Sequence, residues 1–126
     1  MVQVCALLAT AILGVLAVFQ VALIAGTPLG HLAWGGQHRI LPPNLRIGSA
    51  VSIVLYIVFA YAALARAGLA APLISGAFTE GSGWVLTTYF AVGVLMNGIS
   101  RSRPERLTMT PVALVLTLLY LVLSLS

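Results

Sequence analysis

The stretch GTPLGHLAWGGQHRILPPNLR, residues 26–46, joins two long apolar runs, and its reading decides the architecture. It holds both histidines, the one Pro-Pro pair and two of the six arginines. Connections between packed helices usually run about 2–8 residues, and longer ones are either structured for a purpose or disordered. With Trp34, Ile40 and Leu41 in it, this stretch is too apolar for disorder. The expectation is a folded cap.

Composition says what it caps. Of 126 residues, 61% are apolar and 6% are charged, and the mean hydropathy is +1.13. A soluble domain carries roughly 25% charged residues to cover its surface. Here lipid must be the solvent over most of that surface, so the class is an integral membrane protein of one small domain. The net charge of +4 comes from arginine without lysine, and it is sparse and confined to loops, which excludes a nucleic-acid surface. The single Cys5 excludes an internal disulfide and a cysteine metal cluster, and reads as a small hydrophobe near a helix end.

The apolar runs predict four membrane spans at about 2–25, 47–65, 84–99 and 107–125. About 24 residues rising about 1.5 Å each give about 36 Å, enough to cross ~30 Å of hydrocarbon with some tilt. The first run has no basic segment before it and is too long for a signal sequence, so it is read as a mature helix. Ala6, Thr10, Ala17 and Gln20 fall close to one face of it. Ser49, Ser52, Tyr56, Ala60 and Ala63 form a small and polar stripe on the second, and Thr110, Ala113, Thr117, Tyr120 and Ser124 repeat it on the last. In lipid such stripes should face protein while the aliphatic sides face the bilayer.

Residues 66–83 read as a second loop, with 69–74 at the interface and a Gly81-Ser82-Gly83 turn before the third span. Trp84 would anchor that span at the membrane surface. Two starts fit the last helix: a capping box at Ser102-x-x-Glu105, or Thr110 with Pro111 in the first turn. The earlier start would leave Pro111 to kink the helix. The fold class expected is all-α, a transmembrane four-helix bundle with a structured loop between helices 1 and 2.

Four spans put both termini on one side and the first and third loops on the other. Those two loops hold Arg39, Arg46, Arg101, Arg103 and Arg106, against Arg66 alone in the middle loop. Arginine in short loops marks the cytoplasmic face, so the expected topology is multi-pass in the inner (plasma) membrane with termini outside. Gln20, Ser49, Ser52, Asn97, Ser100 and Thr110 would then gather into a cytoplasm-facing polar recess roofed by residues 26–46.

The candidate ligand-binding residues are His31, Trp34, Gln37, His38, Arg39, Arg46, Asn97 and Arg101. Two histidines seven apart would need a third metal donor, and of the two carboxylates Glu80 falls across the membrane and Glu105 beside arginines that compete for it, so no metal is expected; in an irregular loop, imidazoles more often satisfy backbone carbonyls. Trp34-Gly35-Gly36 is either a tight turn with an interfacial Trp or a floor on which a ligand stacks; it lacks the Lys of a phosphate loop. The arginines either set topology and meet anionic lipid headgroups or bind an anion at the mouth of the recess. Asn97 and Gln20 either glue helices or touch a solute. No Ser-His-Asp set, carboxylate pair or Cys-His pair can be assembled, so no catalytic residue and no cofactor is expected.

HLAWGG from His31, Leu41-Pro42 and Ala67-Gly68-Leu69 carry a resemblance, with the Asn- and Arg-bearing turn before a Pro-containing last span. On these the chain resembles the uncharacterised small four-helix integral membrane proteins of bacteria, which place a Trp-Gly-Gly and Leu-Pro loop between their first two helices. The resemblance implies four helices and a bacterial inner membrane, with no activity to assign to any residue. The leading expectation is a non-enzymatic protein, either an accessory subunit or a bundle binding lipid or a small solute, in a homo-oligomer or larger membrane complex. The alternatives are an oligomeric transporter or channel, and a membrane-embedded enzyme acting on a lipid or isoprenoid.

Overall fold

The computed structural model describes residues 1–70 and 76–125, the side chains of residues 76–80 excepted. Four helices follow one another: α1 (Val2–Ile24), α2 (Pro43–Arg66), α3 (Gly76–Gly98) and α4 (Arg103–Leu125). Two short 3-10 turns, Gly30–Leu32 and Trp34–Gly36, lie between α1 and α2. No strand occurs among the described residues. The all-α class and the structured first connection therefore hold.

Local chemistry explains most of the boundaries. Pro42 is extended at the N-cap and Pro43 takes the first helical position, where its missing N–H costs nothing, so α2 starts four residues before the expected 47. Ser102 caps α4, its Oγ accepting from the Glu105 backbone N–H at 3.4 Å. Of the two possible starts the capping box prevails, and Pro111 sits inside a helix that continues past it.

The third helix departs furthest from expectation. It begins at Gly76 instead of 84, and the Gly81-Ser82-Gly83 sequence is helical. Packing overrides turn chemistry here: a Cβ on Gly83 would lie 2.9 Å from Ser124 Oγ, so the glycine lets α3 and α4 approach closely. Residues 71–75, with Pro72, and the Glu80 side chain lie outside the described residues, and with them most of the expectation for an interfacial segment at 69–74.

The helices pair as two hairpins, α1 with α2 and α3 with α4, which meet mainly along α1 and α4 and also along α2 and α3. The half of the bundle holding the N-terminus is solidly packed. There Ala6, Ala9, Leu13, Phe59, Ala63 and Tyr120 form one buried cluster with their neighbours. Tyr120 donates its hydroxyl to the Phe59 carbonyl at 2.6 Å, tying α4 to α2 through the core. The stripes lie where the inside-out pattern puts them: Ser49, Ala63, Ala113, Tyr120 and Ser124 are all buried. The aliphatic faces point outward, with Val15 and Val18 each 70% exposed.

At that packed end Gln3 Nε2 donates to the Ala67 carbonyl and Arg66 Nε to the Leu123 carbonyl, 3.4 and 3.0 Å away. At the opposite end Ser102 Oγ donates to the His31 carbonyl, 2.6 Å away, so the first and third connections share one end, with Arg39 and Arg101 in them and Arg46, Arg103 and Arg106 in the adjoining starts of α2 and α4. Three helices, α1, α2 and α4, are long and apolar enough to cross a membrane. Among the described residues α3 is not in that set, because glycines, hydroxyls and Asn97 dilute its aliphatic residues.

Candidate functional site: a capped cavity between the hairpins

The connection from α1 to α2 folds back on itself. The Gly30 N–H donates to the Arg39 carbonyl at 2.8 Å, and Arg46 Nε, from the first turn of α2, donates to the Leu41 carbonyl at 2.8 Å. Leu41 is buried to 1% exposure and pins the returning chain. Gly36 has φ +71°, and a side chain there would run into Ser102, so this glycine permits both the turn and the seam with the start of α4.

Trp34 is the strained member of the cap. It holds φ at +54°, which a bulky residue adopts only when its surroundings enforce it. The enforcement is visible on α2. The indole lies over Gly48, where a Cβ would come within 2.9 Å of the ring, and Nε1 donates to the buried Ser49 hydroxyl at 3.4 Å.

Under this cap lies a cavity of about 540 Å³. Leu32, Ala33 and Trp34 roof it, and Leu16, Phe19 and Gln20 of α1 form one wall. Tyr89, Phe90, Gly93 and Asn97 of α3 stand on another side, with Glu105, Met109 and Ala113 of α4 beside them and Tyr56 reaching in from α2. An aromatic group forms the floor, with Phe59 and Phe90 edge-to-face at 5.7 Å between centroids and Phe90 and Tyr120 tilted at 5.0 Å. The volume lies within the range of about 300–1,000 Å³ usual for small-molecule sites, and apolar walls with a few convergent polar groups are their usual make-up.

The polar groups are few and their hydrogen bonds can be followed one by one. Gln20, 7% exposed, donates from Nε2 to the Tyr56 hydroxyl at 3.3 Å, and its Oε1 has no partner among the described residues. Asn97 donates from Nδ2 to the Gly93 carbonyl at 2.9 Å. Glu105, 8% exposed, accepts from the Ser100 hydroxyl at 3.1 Å. That hydroxyl also accepts from the Ser102 backbone N–H, so Ser100 stands between the two members of the capping box and frees the carboxylate to face the cavity.

The placement of the residues expected from sequence is uneven. Trp34 and Asn97 line the cavity. His31, Gln37, His38, Arg39 and Arg101 are exposed on the cap or the third connection. Arg46 is half-buried and engaged with the Leu41 carbonyl. No arginine lines the cavity, and among the described residues no group of three His, Cys, Asp or Glu is arranged to hold a metal. Of the polar residues expected in the recess, Gln20 and Asn97 are in its wall, whereas Ser49 is occupied by the Trp34 indole and Thr110 Oγ1 is buried with no partner among the described residues.

Glu105 is the residue that sequence reasoning missed as a site. It was expected beside competing arginines, yet Arg106 turns to the Ser100 carbonyl at 3.2 Å, and Glu105 has no ion pair among the described residues. The available signal was that only two acidic residues occur in the chain, one of them at the start of an apolar helix. A carboxylate in such a place points to a functional site. Tyr56 carried a weaker signal, its position in the polar stripe of α2.

Fold and site together define a class, a four-helix bundle with the surface of a membrane protein and an aromatic-walled cavity roofed by a strained cap. Compared with family models, curated proteins and solved structures, the chain matches none.

Proposed function

We propose that this chain is a non-enzymatic receptor of the bacterial inner membrane, a four-span bundle that holds a small molecule or part of a lipid in the capped cavity. The observation that carries this reading is the cavity of about 540 Å³, lined by aromatic rings together with the polar side chains of Gln20, Asn97 and Glu105. The packed half of the bundle stands between the cavity and the far end. That favours a receptor over a through-pore.

The α3 helix completes the four spans in this reading: at 23 residues it is as long as α1 and α4, and it is flanked by both hairpin partners. The five arginines at the cap end favour a cytoplasmic cap, with both termini outside and anionic headgroups around the cap. The resemblance carried by the Trp-Gly-Gly and Leu-Pro residues agrees with a bacterial inner membrane.

Native mass spectrometry from membranes tests the reading and reports self-association at the same time. The wild-type chain should retain a lipid or small molecule stoichiometrically, and Gly93→Leu, which fills part of the cavity, should lose it. A bare wild-type chain, or retention unchanged by Gly93→Leu, would overturn the receptor reading.

A further inference from the structure

Resting on the receptor reading, we infer that the cavity selects an organic ammonium, a protonated amine carried on an apolar body. The argument is an inventory of donors and acceptors. Asn97 must turn its Nδ2 to the Gly93 carbonyl, because a carbonyl only accepts, and this leaves Asn97 Oδ1 for the cavity. Gln20 spends one N–H on the Tyr56 hydroxyl, and its Oε1 is buried out of reach of the cavity. Glu105 uses Oε2 on Ser100, and its other oxygen has no partner among the described residues.

The Trp34 N–H points away to Ser49, so the indole presents a ring and no donor. The cavity carries one carboxylate and, among the described residues, no cationic side chain in its wall. A protonated amine can donate to the open carboxylate oxygen of Glu105 and to Asn97 Oδ1. Its charge is attracted both to the carboxylate and to the rings of Trp34, Tyr56, Tyr89 and Phe90 that line the cavity. An anion would meet the carboxylate with no cationic side chain in the wall to offset it. The apolar body would lie toward the aromatic floor, where Phe90 and Leu116 line the cavity. An ethanolamine headgroup and a free amine present the same chemistry.

Binding to the purified full chain in dodecyl maltoside, a neutral and amine-free detergent, tests the inference. A Trp84→Phe background leaves Trp34 as the sole tryptophan, and its emission reports occupancy. The probes are 2-phenylethylammonium and its neutral isostere propylbenzene. The ammonium should bind at least tenfold tighter than propylbenzene, and Glu105→Gln should abolish that preference while leaving propylbenzene unchanged.

Asn97→Leu should weaken the ammonium in the same sense, which keeps the test alive if Glu105→Gln fails to fold. Competition by phosphatidylethanolamine but not phosphatidylglycerol supports the inference with a lipid headgroup as the source, and competition by neither supports it with a free amine. Equal binding of the two probes, or a preference untouched in both variants, overturns the ammonium inference and leaves the receptor reading standing. Silence toward both probes and both lipids overturns the receptor reading as well.

Discussion

The indole of Trp34 rests on Gly48: a Cβ at position 48 would lie 2.9 Å from both Cζ2 and Cη2 of the ring. The glycine is thus the socket that holds the roof of the cavity down on α2, and the positive φ of Trp34 shows that the cap is bent to reach it.

Gly48→Ala sets two effects against each other. Alanine improves helix propensity by about 1 kcal/mol. Overpacking against the ring costs typically about 1–3 kcal/mol, and the cap has little freedom to retreat. The expected outcome is a net loss of up to about 2 kcal/mol with a changed Trp34 emission in a Trp84→Phe background. Thermal melting in detergent and fluorescence check it; a raised Tm with unchanged emission would show that the ring is not seated there.

Ser102 holds two structures at once, the start of α4 and the cap carbonyl of His31. Ser102→Ala should cost about 1 kcal/mol for the lost N-cap, with the seam to the cap in addition. Hydrogen exchange should speed up across residues 30–39 and not at the Gln3–Ala67 end. Uniform acceleration along the chain would mean that the cap is not a separate unit.

Tyr120→Phe removes one interhelical hydrogen bond, 2.6 Å long, without opening a large void. Such bonds in membranes average about 0.6 kcal/mol and reach about 1.7. A loss in that range, measured by unfolding in mixed micelles, is expected, with ligand retention intact. A loss several times larger would show that the floor of the cavity depends on that hydroxyl.

Gln20→Leu should stabilise the empty chain, since the unpartnered Oε1 costs about 1–3 kcal/mol when buried and the Tyr56 contact it gives up is long. The same change should reduce ligand retention in native mass spectra. A rise in Tm together with lost retention is the pattern expected of a site kept at a cost to stability. A fall in Tm with retention unchanged would make Gln20 helix glue and nothing more.

For topology, a cysteine at position 103 in a Cys5→Ala background should react with a membrane-impermeant maleimide only after cells are opened. Labelling in intact cells would turn the bundle over.

The helices, their inside-out stripes and the fold of residues 26–46 were legible in the sequence, because each follows from local pattern: apolar run length, small residues at helical spacing, and Pro, Gly and Trp in a connection too apolar to stay free. The beginning of α3 was not legible. Gly81-Ser82-Gly83 has the chemistry of a turn, yet it is helical and packs Gly83 against Ser124 of α4. Trp34 and Asn97 were anticipated in the site, while the arginines and histidines beside them were placed by adjacency in sequence and sit outside the cavity wall.

Run length and polarity determined that this chain packs as helices with greasy exteriors, since lipid-facing surface must be apolar at every position it covers. Tertiary structure alone decided which polar atoms face the cavity. Glu105 is turned toward it by a hydroxyl two residues before its helix cap, and Gln20 and Asn97 each spend an N–H on a neighbour. Which end of an amide is used up depends on partners from other turns and other helices, and no local pattern encodes that.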